Sequence, residues 1–147
     1  MSSENSNMIP RLISDVRQLI SAYLTRELKK AGCVGIVPSH GEIIFNLINN
    51  REMTMTELSD AISKDRSTVT TLVGKLIKRG MVEYRENPED LRSKKVALTE
   101  NGKKLEKDFL QISQNMNRIL WQGVSQKDKE VFIKVLRKAK DNFSGDI

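Results

Sequence analysis

The chain has 147 residues, of which 38% are apolar, and this suits one ordinary domain with its own core. Its net charge of +6 favours a polyanionic partner, and its single cysteine excludes an internal disulfide. The start MSSENSN lacks the apolar run of a signal peptide, and no apolar stretch reaches the ~18 residues of a membrane span, so we expect a cytoplasmic protein without a membrane partner.

The first predicted element is a long amphipathic helix. Between Ile9 and Leu28 the apolar residues recur at steps of mostly three and four, which places them on one helical face. Pro10 marks the first turn, and Gly32 and Gly35 mark the end. Such a stripe must be buried against a partner, and the neighbouring segments do not supply all of it.

Three shorter helices are predicted next. The sequence SHGE at 39–42 predicts a capping box with Ser39 at the N-cap of the second helix. Residues 52–54 are a candidate short strand, and Thr56 is the predicted cap of the third helix. Asp65 is the predicted cap of the fourth helix, after a short turn. This spacing is typical of a helix-turn-helix.

A hairpin and two more helices complete the chain. Residues 81–86 have strand composition, the NPED sequence that follows them favours a turn, and a return strand leads to Thr99. Thr99 is the predicted cap of a long fifth helix, which Gly123 ends before a sixth. The sixth helix is predicted to bury Val131, Phe132, Val135 and Leu136. The order predicts a mostly α fold of six helices with a small antiparallel β wing.

Small polar residues and two lysines line the fourth helix opposite its apolar stripe. They are Ser67, Thr70, Thr71, Gly74, Lys75 and Lys78. Hydroxyl groups hydrogen-bond base edges or phosphates, and small side chains allow close approach to a DNA groove. The lysines would add salt-dependent contacts to the DNA backbone. The alternative is an ordinary solvated helix face, and the helix alone does not decide between the two.

The hairpin loop is the second DNA-binding candidate. Arg92 stands at the turn, followed by Ser93 and Lys94, and a guanidinium at a hairpin tip fits a narrow minor groove. Asp90 would repel phosphate, so we expect it to pair with Arg92 or a neighbouring basic side chain and hold the tip. Residues 64–95 carry nine basic and five acidic residues, which is +4 of the chain's +6.

The run DLRSKKVALTENG resembles the wing signature of the MarR family of transcriptional regulators. That pattern is an acidic residue, one position, an arginine, and a basic strand that ends in Leu-Thr and is followed by a glycine. Its positions here are Asp90, Arg92, Leu98, Thr99 and Gly102. The segment LSDAISKDRSTVTTLVGKLIKRGMVEY is similar to the family's helix-turn-helix and first wing strand. The chain departs from the family at Leu91, where many wings have a second basic residue.

The resemblance implies a homodimer in which the first and the last two helices interlock and two winged lobes lie on palindromic double-stranded DNA. It implies that residues 67–75 enter the major groove and Arg92 the minor groove, with Ser39 and His40 near phosphate. The candidate DNA-binding residues are Ser39, His40, Ser67, Thr68, Thr70, Thr71, Lys75, Arg92, Ser93 and Lys94, with Asp90 positioning the wing.

The predicted organisation is a single domain over residues 1–147. Residues 55–78 form the helix-turn-helix, residues 81–99 the wing, and residues 8–31 and 100–143 the dimerisation helices. The long terminal stripes also indicate a dimer without the resemblance, because a second copy would bury them. The alternative is that they pack on each other within one chain.

Three other features of the sequence were considered as candidate functional sites. Tyr23, Phe109 and Met116 are a hypothetical pocket for a small-molecule effector, such as the small aromatic acids that many relatives bind, although their helical spacing equally fits a core. Cys33 has no second cysteine with which to pair and is predicted to be unreactive. His40 is the single histidine, and no catalytic, phosphate-loop or metal motif is present, so we expect neither a cofactor nor an enzyme.

The favoured function is therefore a dimeric DNA-binding regulator, most simply a repressor that covers promoter DNA until an effector or signal releases it. Two alternatives remain. One is a winged-helix protein-interaction module whose basic wing meets an acidic protein, and the other is a nonspecific architectural DNA binder.

Overall fold

A computed structural model of the chain describes residues 3–145, with side chains from residue 8 onward. The elements are α1 (Ser3–Lys30), α2 (Pro38–Asn50), β1 (Glu52–Thr54), α3 (Met55–Ile62), α4 (Arg66–Lys78), β2 (Val82–Glu86), β3 (Lys94–Leu98), α5 (Glu100–Lys103), α6 (Glu106–Leu120) and α7 (Gln126–Ser144). The mostly helical fold with a small antiparallel sheet is confirmed. None of the described helices is both long and apolar enough to cross a membrane.

The fifth predicted helix is divided into α5 and α6. Thr99 caps α5 as predicted, because its Oγ1 accepts a hydrogen bond from the Gly102 amide at 3.1 Å. The Leu105 amide then donates to the Gly102 carbonyl at 3.1 Å, a tighter spacing than that of an α-helix. The helical course resumes when the Phe109 amide donates to the Leu105 carbonyl at 3.0 Å.

The start of α2 differs from the prediction. Val37, not Ser39, occupies the N-cap, because Pro38 at the first helical position already has a helical φ and needs no amide donor. His40 Nδ1 accepts a hydrogen bond from the Val37 amide at 3.1 Å. The imidazole thus takes the part that was predicted for the carboxylate of Glu42.

The start of α3 is also two residues earlier than predicted. Thr54, and not Thr56, is the N-cap, and its Oγ1 accepts from the Glu57 amide at 3.1 Å. The Glu57 carboxylate accepts from the Thr54 amide at 2.7 Å, which completes a capping box. Thr54 also ends β1, so strand and helix follow each other without a loop.

The chain divides into two compact units, and the first extends to Ser113. Its three-stranded sheet has the order β1-β3-β2, with β3 antiparallel to both neighbours. Fully buried side chains from α2, α3, α4 and the sheet form one core. They include Ile43, Ile44, Leu47, Leu58, Val69, Val73, Leu76, Val82 and Val96. Because α4 and the β2–β3 hairpin share this core, their relative placement is fixed by packing.

The second unit comprises residues from Gln114 onward. Gly123, at φ 77°, separates α6 from α7, and Ser125 caps α7 by accepting from the Asp128 amide at 3.1 Å. The Trp121 and Phe132 rings meet edge to face with centroids 5.8 Å apart.

Helices α1 and α7 each expose a row of large apolar side chains. On α1, Ile9, Leu12, Ile13, Val16 and Leu19 are 43–70% exposed. On α7, Val131, Phe132, Val135 and Leu136 are 44–61% exposed, so the prediction that this helix buries them is wrong for the isolated chain. The exposed side chains lie on the apolar faces that the sequence pattern predicted.

Candidate DNA interface

The turn between α3 and α4 is built by side-chain capping. Ser63 ends α3 in the left-handed region at φ 53°, and Asp65 begins α4 as predicted. Asp65 Oδ1 accepts from the Thr68 amide and from Ser67 Oγ, both at 2.7 Å. These hydrogen bonds, that of the Thr68 amide above all, hold the pKa of the Asp65 carboxyl at about 2. The carboxylate therefore fixes the start of α4 at any physiological pH.

The exposed face of α4 carries the predicted hydroxyl groups. Thr70 Oγ1 donates to the Arg66 carbonyl at 2.8 Å, and Thr71 Oγ1 donates to the Ser67 carbonyl at 3.1 Å. Since these hydroxyl hydrogens are engaged within the helix, each threonine offers a base its oxygen lone pairs and its methyl group. Those groups suit the amino donors of adenine and cytosine and the thymine methyl. Thr68, by contrast, is half-buried.

The cations of α4 are arranged differently from the prediction. Lys75 Nζ donates to the carbonyl of Gly35, in the loop between α1 and α2. Arg79, which follows α4 and was not predicted as a functional residue, donates to the adjacent Val34 carbonyl. A spacing of 40 or more residues separates the partners, so no local pattern could have revealed either contact. Lys78 is exposed.

The wing tip is held by hydrogen bonds to its backbone. Asn87 is buried, and its Oδ1 accepts from the Glu89 amide at 3.1 Å. Asp90 Oδ1 accepts from the Arg92 amide at 3.0 Å, and the Asp90 carbonyl accepts from the Ser93 amide at 3.0 Å. Among the described side chains no ion pair joins Asp90 to a basic residue, so the predicted charge pairing is wrong. Asp90 shapes the tip, and the Arg92 side chain is exposed.

The basic residues of β3 have different surroundings. Lys94 is exposed, and its Nζ lies 5.7 Å from the ring centroid of Tyr84 on β2. Lys95 Nζ is 3.4 Å from Glu52 Oε1 on β1, so the two residues form an ion pair within the sheet. Tyr84 was not predicted to contact Lys94. It lies on β2 opposite Val96 of β3, within the hairpin.

Ser39 and His40 were expected near phosphate, and neither side chain is fully exposed in the structure. Ser39 is half-buried, and the His40 side chain is only 4% exposed. Burial lowers the pKa of His40, and the charges of Lys75 and Arg79 lower it further. The imidazole is thus a neutral structural acceptor, and phosphate would not reach it from solvent.

The titration of His40 predicts a pH-dependent stability. Its folded pKa lies below the ordinary value of 6.5, so near that pH the unfolded chain binds more protons than the folded one. The stabilisation is complete above pH ~6.5 and is lost as the pH falls below it. Urea denaturation between pH 5.5 and 7.5 measures this directly. His40→Gln keeps an acceptor for the Val37 amide. We expect its free energy of unfolding to change less with pH in this window than that of the unaltered protein. An equal dependence on pH in both proteins would contradict the role given to His40.

The residues of the hypothetical effector pocket fall into separate surroundings. Phe109 is buried in the core of the first unit, which is the alternative that its helical spacing allowed. Tyr23 is half-buried beneath the Arg26 guanidinium at 5.4 Å, and Met116 is half-buried in the second unit. Their role in a pocket stays a prediction. Cys33 is buried, and burial raises the pKa of its thiol, which disfavours a reactive thiolate.

Comparison with known proteins gives matches to transcriptional regulators. The family model described as MarR family matches residues 34–93. The HTH-type transcriptional regulator YdgJ of Bacillus subtilis is 26% identical over 117 residues, which cover 80% of this chain and 71% of YdgJ. The transcriptional repressor MprA of Escherichia coli K12 is 32% identical over 89 residues, or 60% of this chain. The match spans about half of MprA, at 51% of its length.

Solved structures share the fold along almost the whole chain. A mutant MarR from E. coli complexed with operator DNA has a TM-score of 0.78 at 24% identity, covering 94% of this chain and 99% of that one. A MarR protein from Peptoclostridium difficile has a TM-score of 0.81 at 19% identity, with 93% and 88% covered. Bordetella bronchiseptica BpsR has a TM-score of 0.76 at 16% identity, with 90% and 98% covered.

The segment matched by the family model contains α2, α3, α4 and the hairpin as far as Ser93. It therefore includes the capped turn, the hydroxyl face and the wing tip described above. When the helices before and after this segment are included, the chain shares its fold with the two MarR structures over most of their length. Residues 34–93 of the chain thus match the MarR family, and the chain has the fold of the solved MarR structures.

Proposed function

We propose that this protein is a homodimeric, sequence-specific DNA-binding regulator that represses transcription by covering a palindromic operator. The observation that carries the proposal is the pairing of two surfaces on one core. The exposed face of α4 offers acceptor oxygens and methyl groups, and the hairpin beside it carries the exposed cations Arg92 and Lys94. A helix with small polar side chains suits a major groove, and a cationic hairpin tip suits a minor groove.

Individual roles follow from the contacts. Thr70 and Thr71 read bases, and Ser67 and Thr68 lie where α4 begins, near the backbone of the duplex. Arg92 enters the minor groove, because its backbone is shaped by Asp90 while its side chain is exposed. Lys94 contributes phosphate affinity, and Ser93, whose amide is bonded to Asp90, forms part of the same tip.

The dimer is supported by the apolar faces of α1 and α7, which are exposed in a single chain. A twofold protein presents two copies of α4 and of the wing, so its operator should be a palindrome. The repressor MprA and the operator complex of E. coli MarR favour the same function. BpsR, whose DNA binding is regulated by 6-hydroxynicotinic acid, supports release by a small-molecule effector.

A binding titration tests the proposal. The probe is the tightest duplex selected from a randomised 30-base-pair library, compared with an unselected pool. We expect a palindrome bound at least ~10³-fold better than the pool, with affinity that falls steeply with salt. Equal affinity for all duplexes would indicate an architectural binder. Failure to bind any duplex would contradict the proposal and leave the protein-interaction module.

Arg92→Ala is expected to weaken binding of the selected duplex by about 1–3 kcal/mol, if the guanidinium occupies a groove. Fluorescence anisotropy at one fixed salt concentration measures the change. Leu91→Ala is the matched control, because Leu91 stands beside Arg92 at the tip, is 82% exposed and carries no charge. We expect that control to bind like the unaltered protein. Equal affinities for both variants would contradict the role of the wing.

A further inference from the structure

Two side chains at the end of α4 are bound to the loop between α1 and α2. Lys75 Nζ donates to the carbonyl of Gly35, and the Arg79 guanidinium donates to the carbonyl of Val34. We call these four residues the loop clamp. Lys75 and Arg79 are four positions apart on the same side of the helix, so they reach consecutive carbonyls of the loop.

The loop is shaped to offer these carbonyls. Gly35 has φ +78°, which is strained for other residues, and a Cβ there would lie 2.8 Å from the Arg79 guanidinium. Below the carbonyls, Cys33 and Ile36 are each 2% exposed and anchor the loop in the core. The Cys33 amide donates to the Leu28 carbonyl at 2.9 Å, which ties the loop to the last turns of α1.

The bonding argues against a phosphate role for these cations. To contact the DNA backbone, either side chain would have to give up the protein carbonyl that it binds in this structure. Here both side chains are ordered on carbonyls of the protein, through charge-assisted hydrogen bonds. Both charges also act on the buried His40, whose imidazole caps α2 immediately after the loop.

We propose that Lys75 and Arg79 are positioning residues that fix the direction of α4 against the end of α1, and that they are not phosphate contacts. The proposal rests on the proposed function of α4 as the helix that reads DNA. Through the clamp, a displacement of the last turns of α1 moves the carbonyls that hold α4. The two hydrogen bonds thus couple the helix predicted to form the dimer to the helix that reads bases.

The first test uses hydrogen exchange in the full-length protein without DNA. We expect Lys75→Met and Arg79→Gln to speed amide exchange at residues 33–37 and in the last turn of α4. Lys78→Met is the matched control, because Lys78 is one turn from Lys75, exposed and outside the clamp. Exchange that is unchanged in the clamp variants overturns the proposal. If Arg79→Gln does not fold, Arg79→Lys keeps one donor and replaces it.

The second test measures salt dependence with the duplex selected above. Loss of a phosphate contact lowers the slope of log affinity against log salt by ~0.9 per contact. For Lys75→Met we expect affinity for that duplex to fall about tenfold, as for the loss of one aligned base contact, with the slope unchanged. A slope lowered by ~0.9 or more overturns the positioning role.

Failure of the proposed function is distinguishable from failure of the clamp. If the unaltered protein binds no duplex, the proposed function is wrong, and hydrogen exchange alone decides the clamp. Faster exchange at the loop then supports the tie between α4 and α1, and unchanged exchange refutes it.

Discussion

Replacing Gly102 with alanine is expected to lower the free energy of unfolding by about 3 kcal/mol, since overpacking against fixed backbone costs more than most surface changes. A Cβ on Gly102 would collide with the Met81 carbonyl oxygen. It would also lie 3.1 Å from the Met81 carbonyl carbon and 3.2 Å from Leu98 Cδ2. The nearest obstacle is main chain, which cannot rotate away as a flexible side chain would.

The surrounding hydrogen bonds prevent relaxation. The Met81 carbonyl accepts from the Thr99 amide at 3.1 Å, and Thr99 Oγ1 donates to the Gly80 carbonyl. The Gly102 amide in turn donates to Thr99 Oγ1 at 3.1 Å. These bonds join the start of the first wing strand to the end of the second. Moving α5 outward to admit a methyl group would therefore open the base of the wing.

Thermal denaturation at a fixed protein concentration measures the effect, and a loss of about 3 kcal/mol corresponds to a Tm lower by roughly 10 °C. The matched control is Gly74→Ala, the same chemical change within α4. A Cβ at Gly74 meets nothing within 4 Å. Because alanine is the better helix former, we expect this control to gain roughly 0.5–1 kcal/mol. Shifts of the same sign in both variants would contradict the account of Gly102.

The local signals of the sequence were sufficient for the element order and for two caps. Asp65 and Thr99 each accept from the amide three residues ahead, as predicted. Such a bond depends only on a short polar side chain and the turn that follows it. The two wrong caps arose where two candidates lay within two residues. Pro38 had already begun α2 before Ser39, and Thr54 had Glu57 as its capping-box partner.

Burial and long-range contacts were less accessible to prediction. The resemblance placed His40 near phosphate, yet a neutral imidazole with a hydrogen-bonded Nδ1 can be buried at little cost. Lys75 was assigned to DNA backbone because its position on α4 is outward. Its partner at Gly35 is 40 residues away, and only the folded arrangement of the loop reveals it. Among the site residues, the exposed Arg92 and the hydroxyl face of α4 were predicted with the least adjustment.

The second large effect is expected from a substitution on the exposed apolar face of α1. Leu12→Glu is expected to raise the dissociation constant of the dimer by at least ~100-fold, because a twofold interface would bury two unpaired carboxylates. Leu12 is 52% exposed in a single chain and lies among the other apolar residues of the stripe. Sedimentation equilibrium across micromolar concentrations measures the change. We expect a monomer that keeps the helical content of the unaltered protein.

The control for this variant adds the same charge to the other side of the helix. Gln18 is exposed and, at 100° per residue, lies about 120° from Leu12 and roughly opposite Ile9 of the same stripe. Gln18→Glu should therefore leave the dimer intact, whereas Val135→Glu on the exposed face of α7 should weaken it as Leu12→Glu does. If both apolar-face variants remain dimers, the exposed stripes are not the interface. If the unaltered protein is a monomer at micromolar concentration, the two winged lobes are not joined, and the proposed palindrome loses its physical reason.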